Sequence, residues 1–367
     1  MTLQPSENQA TGLSARQWLR GGLLLGLALV TAEVTVRVEE WVRWRTPIGS
    51  RVQAATDLAV RDATGIHPAP NTRFRKWRFN SVGTRGDEPV AGRPRLIVTG
   101  ASESFGLYES PDKEYPRQLA DSLVAAGCAA DVLNAAFPGM SLPTVAQDLQ
   151  LRLADLRPVA VLYYPTPPQY LDADSPPTAA RREMGGTVPV RTLPLNSRFH
   201  ARALNQLKAM LPPVADLLRQ REIRALRRGI PGDSLFATLP QHRLDAFEAD
   251  LRGLVGMIRS IGAAPILATH ANAFIGSPPL DGAVLRAWER FYPRATGGTL
   301  VAFDSAASAR IRQVAADSSV AVVDPWQAFQ NLPAKEHFAD FSHFTDRGAA
   351  TMAAMIAPAV REVLGCK

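Results

Sequence analysis

The chain has 367 residues, 46% hydrophobic and 20% charged, the balance of a globular protein with a core; one enlarged domain plus an anchor accounts for the length. Its formal charge of +7 favours anionic surfaces, but no zinc-finger spacing or RNP-like aromatic run accompanies the arginines, so no nucleic-acid partner is expected. Two cysteines, Cys128 and Cys366, exclude a disulfide framework, and with no metal-ligand spacing around them or the histidines no metal or cofactor is expected.

Residues 1–17 read as a tail. Residues 21–32, GGLLLGLALVTA, are uninterruptedly apolar behind Arg16 and Arg20, a length closer to a signal peptide than to a full membrane span. The pattern continues, however, with Val34, Val36, Val38, Trp41, Val42 and Trp44 set against Glu33, Arg37, Glu39, Glu40, Arg43 and Arg45. Residues 18–45 are therefore expected to form one anchor helix, inserted at its start and interfacial at its end, with tryptophans at the boundary. A cleaved signal peptide, with Val30-Thr31-Ala32 as the cleavage triplet, and a soluble amphipathic helix are the alternatives. Arginines flank both sides, so charge does not orient the segment.

Residues 46–92 contain few regular apolar runs and read as a linker with one short helix near 51–61. Strand–helix alternation follows. Strands are expected at 95–99, 131–135, 159–164, 265–269 and 320–323. Helices are expected at 115–126, 141–156, 241–261, around 285–291, around 306–316 and at 346–364. Proline clusters and the basic run at 219–228 mark 172–240 as a lid-like insertion, and 93–367 as one catalytic-type domain. Such alternation predicts an α/β fold: a three-layer, flavodoxin-like parallel sheet covered on both faces.

Ligands of such sheets bind beyond the carboxyl ends of the strands, so those loops are where chemistry should be sought. The first strand is followed by GASESFG, which puts Ser102 in the first turn, between Gly100 and Gly106. The second is followed by NAAFPGMS, the third by YPTPPQYL, the fourth by THANAF, and the fifth by a loop containing HFADFSHFTDRG. Acyl transfer needs a nucleophile, a base, a group orienting the base, and donors for the oxyanion. Ser102, His343 and Asp340 supply the first three, and the amides of Ser102 and Gly139 are candidates for the fourth. Thr166, Gln169, His270 and Asn272 are candidate substrate-side groups; a hydrogen-bonded loop histidine is the alternative for His270.

In this order the blocks resemble the SGNH/GDSL hydrolase superfamily, especially its membrane-anchored, envelope-associated members. FNSVGTRGDEP (residues 79–89) resembles their Asn-x-x-Gly-x-Arg-Gly lead-in, GASESFG the nucleophile block, NAAFPGMS the glycine block, and DFSHFTDRGAATMA the Asp-x-x-His block. The resemblance implies an SGNH hydrolase fold, a Ser102–His343–Asp340 triad and a periplasmic domain. It further implies the membrane, an ester-bearing glycan or small acyl substrate, and an envelope protein complex as partners. Two positions depart from the family pattern: Ala101 replaces the usual aspartate, and the third block lacks the Gly-x-Asn-Asp asparagine that donates to the oxyanion. The alternative function is therefore a tethered binding or assembly subunit that has the fold and lacks the activity.

Overall fold

The computed structural model describes residues 14–52, 54–62, 65–172, 197–275 and 282–366. Its first element, α1 (Ala15–Trp44), opens on a reciprocal cap: Ser14 N–H donates to the Gln17 side chain at 2.8 Å, and Ser14 Oγ accepts from Gln17 N–H. Its early residues, Trp18, Leu19, Leu23 and Leu25 among them, are exposed on every side. An apolar surface of this extent is stable only in an apolar medium or against a partner, and the helix is long and apolar enough to cross a bilayer.

The far end of α1 is built into the domain. Glu40 is 1% exposed and accepts from Arg75 at 2.7 Å and from Arg198. Glu33 accepts from Ser197 Oγ at 2.9 Å and from the amides of Arg198 and Phe199. A carboxylate buried this deeply costs several kcal/mol unless it is paired, which explains the two arginines on Glu40.

The stretch read as a linker has a short 3₁₀ helix at Ala55–Leu58, within the run expected to be helical, but is otherwise more ordered than that expectation. It forms two short antiparallel hairpins, β1 (Ala59–Asp62) with β2 (Gly65–Pro68), and β3 (Arg73–Phe74) with β4 (Trp77–Arg78). The reason is local chemistry that carries no period. Phe74, Trp77 and Phe79 enter the core, each separated from the next by polar or basic residues.

Beyond it, β5 (Arg95–Gly100), β6 (Asp131–Asn134), β7 (Ala160–Tyr164), β8 (Ala264–Ala268) and β9 (Ala321–Val323) form one five-stranded parallel sheet in the order β6-β5-β7-β8-β9. All five lie within a residue or so of the predicted runs. Alternate side chains serve opposite faces. Leu96, Val98, Leu162, Tyr164 and Ile266 meet α3 (Tyr115–Ala125) and α10 (Asp346–Val363) through Leu119, Leu123, Met352 and Ile356. Ile97, Val161, Tyr163 and Leu267 meet α4 (Leu142–Leu151), α7 (Gln241–Ser260) and α9 (Gly297–Ser318) through Leu149, Leu254 and Phe303. The three-layer arrangement expected from the alternation is present.

Within the insertion, residues 173–196 lie outside the described residues. The remainder gives α5 (Arg198–Met210) and α6 (Pro212–Arg228); α6 packs on α8 (Gly282–Phe291) through Arg286–Asp216 and Arg290–Glu222 ion pairs. Cys128, just after α3, and Cys366, just after α10, form a disulfide with Cα atoms 5.5 Å apart. It closes a separation of 238 residues around the whole sheet, for which the chain-entropy argument gives about 5 kcal/mol. Cys128→Ser with Cys366→Ser should lower Tm by on the order of 10 °C in a thermal melt. A double variant melting with the wild type would show that the native helix pair needs no staple.

Candidate active site

The turn that carries Ser102 is fixed by two glycines. Gly100, at φ +152°, ends β5 so close to β7 that a Cβ would stand 2.5 Å from the Tyr164 carbonyl and 2.7 Å from Ser104 Oγ. After Ala101 the chain makes one helical turn, α2 (Ser102–Phe105), and leaves it at Gly106, φ +80°, where a Cβ would overlap Glu114. Ser102 thus stands at the first helical position, over the sheet edge where β5 and β7 part. First-turn amides have no acceptor within their own helix, so the amide of Ser102 is available to an oxyanion.

The turn is held from below by residues that the pattern of strands does not reveal. Phe105 stacks on Trp77, with ring centroids 5.8 Å apart, and meets Phe137 edge-on at 5.7 Å. Asn134, the last residue of β6, donates its side-chain amide to the Ser104 carbonyl at 2.8 Å. The lead-in block supplies the rest. Asn80 Oδ1 accepts from the amides of Val82 and Thr84, closing a turn that Gly83 permits at φ +70°. That turn delivers Arg85, 3% exposed, whose guanidinium donates to the carbonyls of Phe105 and Gly106 and pairs with Glu114 at 2.7 Å.

On the facing loop, Asp340 Oδ1 accepts from the amides of Ser342 and His343 at 3.0 and 2.9 Å. Both of its oxygens lie within hydrogen-bond reach of His343 Nδ1, at 2.9 and 2.8 Å. A carboxylate can only accept, so Nδ1 carries the proton and Nε2 is the basic nitrogen of the neutral ring. His343 Nε2 is buried and has no hydrogen-bond partner among the described residues. Tyr108 covers the ring edge-on at 5.1 Å. Burial works against a charged imidazole, but Asp340, followed by Glu103 and Glu109, outweighs it and raises the His343 pKa to about 9.

One carboxylate joins the two loops. Glu103 Oε2 accepts from Ser102 Oγ at 3.3 Å and from Thr166 Oγ1 at 3.0 Å, while Oε1 accepts from Ser342 Oγ at 2.9 Å. Ser102 and His343 each adjoin a residue of this bridge in sequence, so the two loops meet through Glu103; Ser102 Oγ donates to Glu103 and makes no hydrogen bond to His343, whose Nε2 has no partner among the described residues. The other candidates are engaged elsewhere. Gln169 donates to the Met140 carbonyl at 3.1 Å and so braces the turn holding Gly139, itself at φ +84°. His270 and Asn272 turn inward: His270 Nδ1 meets Asp304 Oδ1 at 2.6 Å, and Asn272 Nδ2 donates to Asp304 Oδ2 at 2.6 Å. Both are fully buried behind the site. No His, Cys, Asp and Glu cluster suited to a metal ion occurs among the described residues.

The sheet order, second strand first and then the first, third, fourth and fifth, is the flavodoxin-like one. At its carboxyl edge stand the Ser102 turn, the glycine block and the Asp-x-x-His loop, each after the strand expected to carry it. The chain has a three-layer, flavodoxin-like α/β fold. Several solved structures are similar to it. A lipase/acylhydrolase from Enterococcus faecalis aligns at 16% identity with a TM-score of 0.43, over 74% of this chain and 96% of that one. An acetyl xylan esterase aligns at 13% identity and 0.42, over 72% and 99%. A GDSL-like lipase from Bacteroides thetaiotaomicron aligns at 12% and 0.41, over 76% and 92%. No protein-family model and no curated protein matches the chain. What this chain does is read from its own side chains.

Proposed function

We propose that the chain is a membrane-anchored serine esterase or acyltransferase, with O-acetyl or similar ester groups of an envelope glycan as its substrate class. The observation that carries this reading is His343: Asp340 holds Nδ1, and Nε2 is left without a partner on the loop that Glu103 ties to Ser102. In the reaction His343 Nε2 takes the Ser102 proton as Oγ attacks the ester carbonyl. The amides of Ser102 and Gly139 receive the oxyanion. Collapse expels the alcohol, which takes its proton from His343, and water or an acceptor hydroxyl then releases the acyl group from Ser102. The glycan comes from the resemblance of the sequence blocks to envelope-associated SGNH members. The Cys128–Cys366 disulfide supports an oxidising, extracytoplasmic side for the domain.

A second reading, a tethered binding subunit, draws on one observation. Thr166, Gln169 and Asn272 all have other hydrogen-bond partners, so none of them stands free to replace the third-block asparagine. Loss of one oxyanion donor lowers rates by about 10²–10³, which leaves room for a slow enzyme. The deciding experiment is hydrolysis of p-nitrophenyl acetate by the full chain in detergent, beside Ser102→Ala. The full chain is used because Glu33 and Glu40 of α1 are bonded into the domain. Turnover that falls by roughly 10³-fold or more in the variant supports the enzyme. Equal rates, with no labelling of Ser102 by a serine-reactive phosphonate, favour the binding subunit.

A further inference from the structure

Glu103 is 2% exposed and follows the nucleophile directly, yet the triad chemistry gives it no task. Its partners come from separate segments of the catalytic edge. Ser102 follows β5, Thr166 follows β7, and Ser342 belongs to the histidine loop. His270, after β8, brings Nε2 to within 3.7 Å of Glu103 Oε1. Behind His270 stands Asp304 of α9, which also accepts from Asn272, and the Tyr164 ring lies 5.4 Å from the imidazole. Asp304 accepts from Nδ1, and Nε2, which makes no hydrogen bond among the described residues, faces the Glu103 carboxylate at ion-pair distance, an arrangement that favours an imidazole carrying both protons.

We propose that Glu103 is a positioning residue: its carboxylate, braced from beneath by the His270–Asp304–Asn272 chain, locks the nucleophile turn, the third strand end and the histidine loop into one edge. This rests on the proposed serine chemistry only where Ser102 reactivity is the readout. Burial penalises each charge, but the groups hold one another ionised. Glu103 is kept down to about 2 by His270 and His343, and His270 is pushed up to about 10 by Asp304 and Glu103. Tyr115 of α3 and Tyr163 and Tyr164 of β7 are the other titratable groups facing Glu103, all with raised pKa values and therefore neutral. His343 faces Asp340, Glu103, Glu109 and Tyr108. The charge of Glu103 is thus one of those that hold the His343 proton, while its oxygens fix the hydroxyls of Ser102, Thr166 and Ser342 in place.

The test uses the full chain in detergent micelles with ¹⁵N-labelled histidine, read by NMR titration of His343 and by the rate at which a phosphonate labels Ser102. Glu103→Gln should lower the His343 midpoint by about one pH unit or more and, at a pH above both midpoints where His343 is neutral in each protein, slow labelling at least about tenfold. Glu103→Asp restores the charge without the reach, so the midpoint should return towards wild type while labelling stays slow. Thr166→Val removes one donor at nearly constant shape and should slow labelling a few-fold, which serves if Glu103→Gln does not fold. A Glu103→Gln protein with a lowered Tm but wild-type His343 titration and labelling would overturn the proposal, leaving Glu103 a structural ion only. If wild-type Ser102 is never labelled, the serine reading fails instead, and the His343 titrations alone decide this one.

Discussion

In the Asp340→Asn protein, ester turnover is expected to fall by about 10⁴-fold with little loss of fold. Asparagine keeps an Oδ1 that can still accept from the amides of Ser342 and His343, so the loop survives. What changes is the partner of His343 Nδ1. An amide NH₂ directed at that nitrogen favours the tautomer with the proton on Nε2, and the base then faces Ser102 with no lone pair. The pH profile gives a second signature. In the wild type His343 must be neutral to act, so the rate should climb tenfold per pH unit and level off near pH 9, the value set by burial against Asp340, Glu103 and Glu109. With the Asp340 charge gone, burial is opposed by less, and the limb should move down towards the ordinary histidine range. Steady-state rates on p-nitrophenyl acetate between pH 5 and 10 measure both effects. A variant with wild-type rate and limb would remove Asp340 from the mechanism.

Arg85→Met should be the most damaging change outside the proposed triad. It leaves Glu114, which is 3% exposed, without its 2.7 Å partner, and breaking a buried pair from one side costs about 3–5 kcal/mol. That corresponds to a Tm lower by on the order of 10 °C. Burial already raises the Glu114 pKa, with Arg85 opposing it. Without Arg85 the carboxyl escapes its penalty by staying protonated. Its folded pKa then lies above the unfolded value, so the variant is best stabilised at acid pH and loses stability as the pH rises through that folded pKa. Melts of wild type and variant at pH 5 and pH 8 test this: the gap between them should widen at pH 8. A gap that is small and flat would mean that Glu114 finds another partner. Because Arg85 also holds the carbonyls of Phe105 and Gly106, activity should fall further than stability alone explains.

These two residues differ in how legible they were. Asp340 and His343 sit three apart in a loop whose composition shows in the sequence, and the five short apolar runs place that loop at the strand ends. Arg85 was visible only as a letter in the lead-in block. The segment around it looked like a linker because strands of two to four residues have no period, and its aromatic residues are interleaved with arginines. Glu103 was hidden for a different reason. A carboxylate beside a serine is unremarked in sequence; its meaning comes from Asp304 and His270, 34 residues apart, and from Ser342, 239 residues away. The cysteines were equally mute, since pairing depends on α3 and α10 lying side by side.

The junction of α1 with the domain also bears on where the proposed chemistry can work. The last twelve residues of the helix, 33–44, continue past its apolar run for about 18 Å, and Glu33 and Glu40 are bonded to the same body that carries Ser102. In the anchored reading the site therefore does not swing on a tether. It is carried at a set height and sweeps a plane as the helix diffuses in the bilayer. Substrate encounter then scales with how densely ester groups populate that one layer, and lengthening the helix by a turn would move the working plane by about 5 Å.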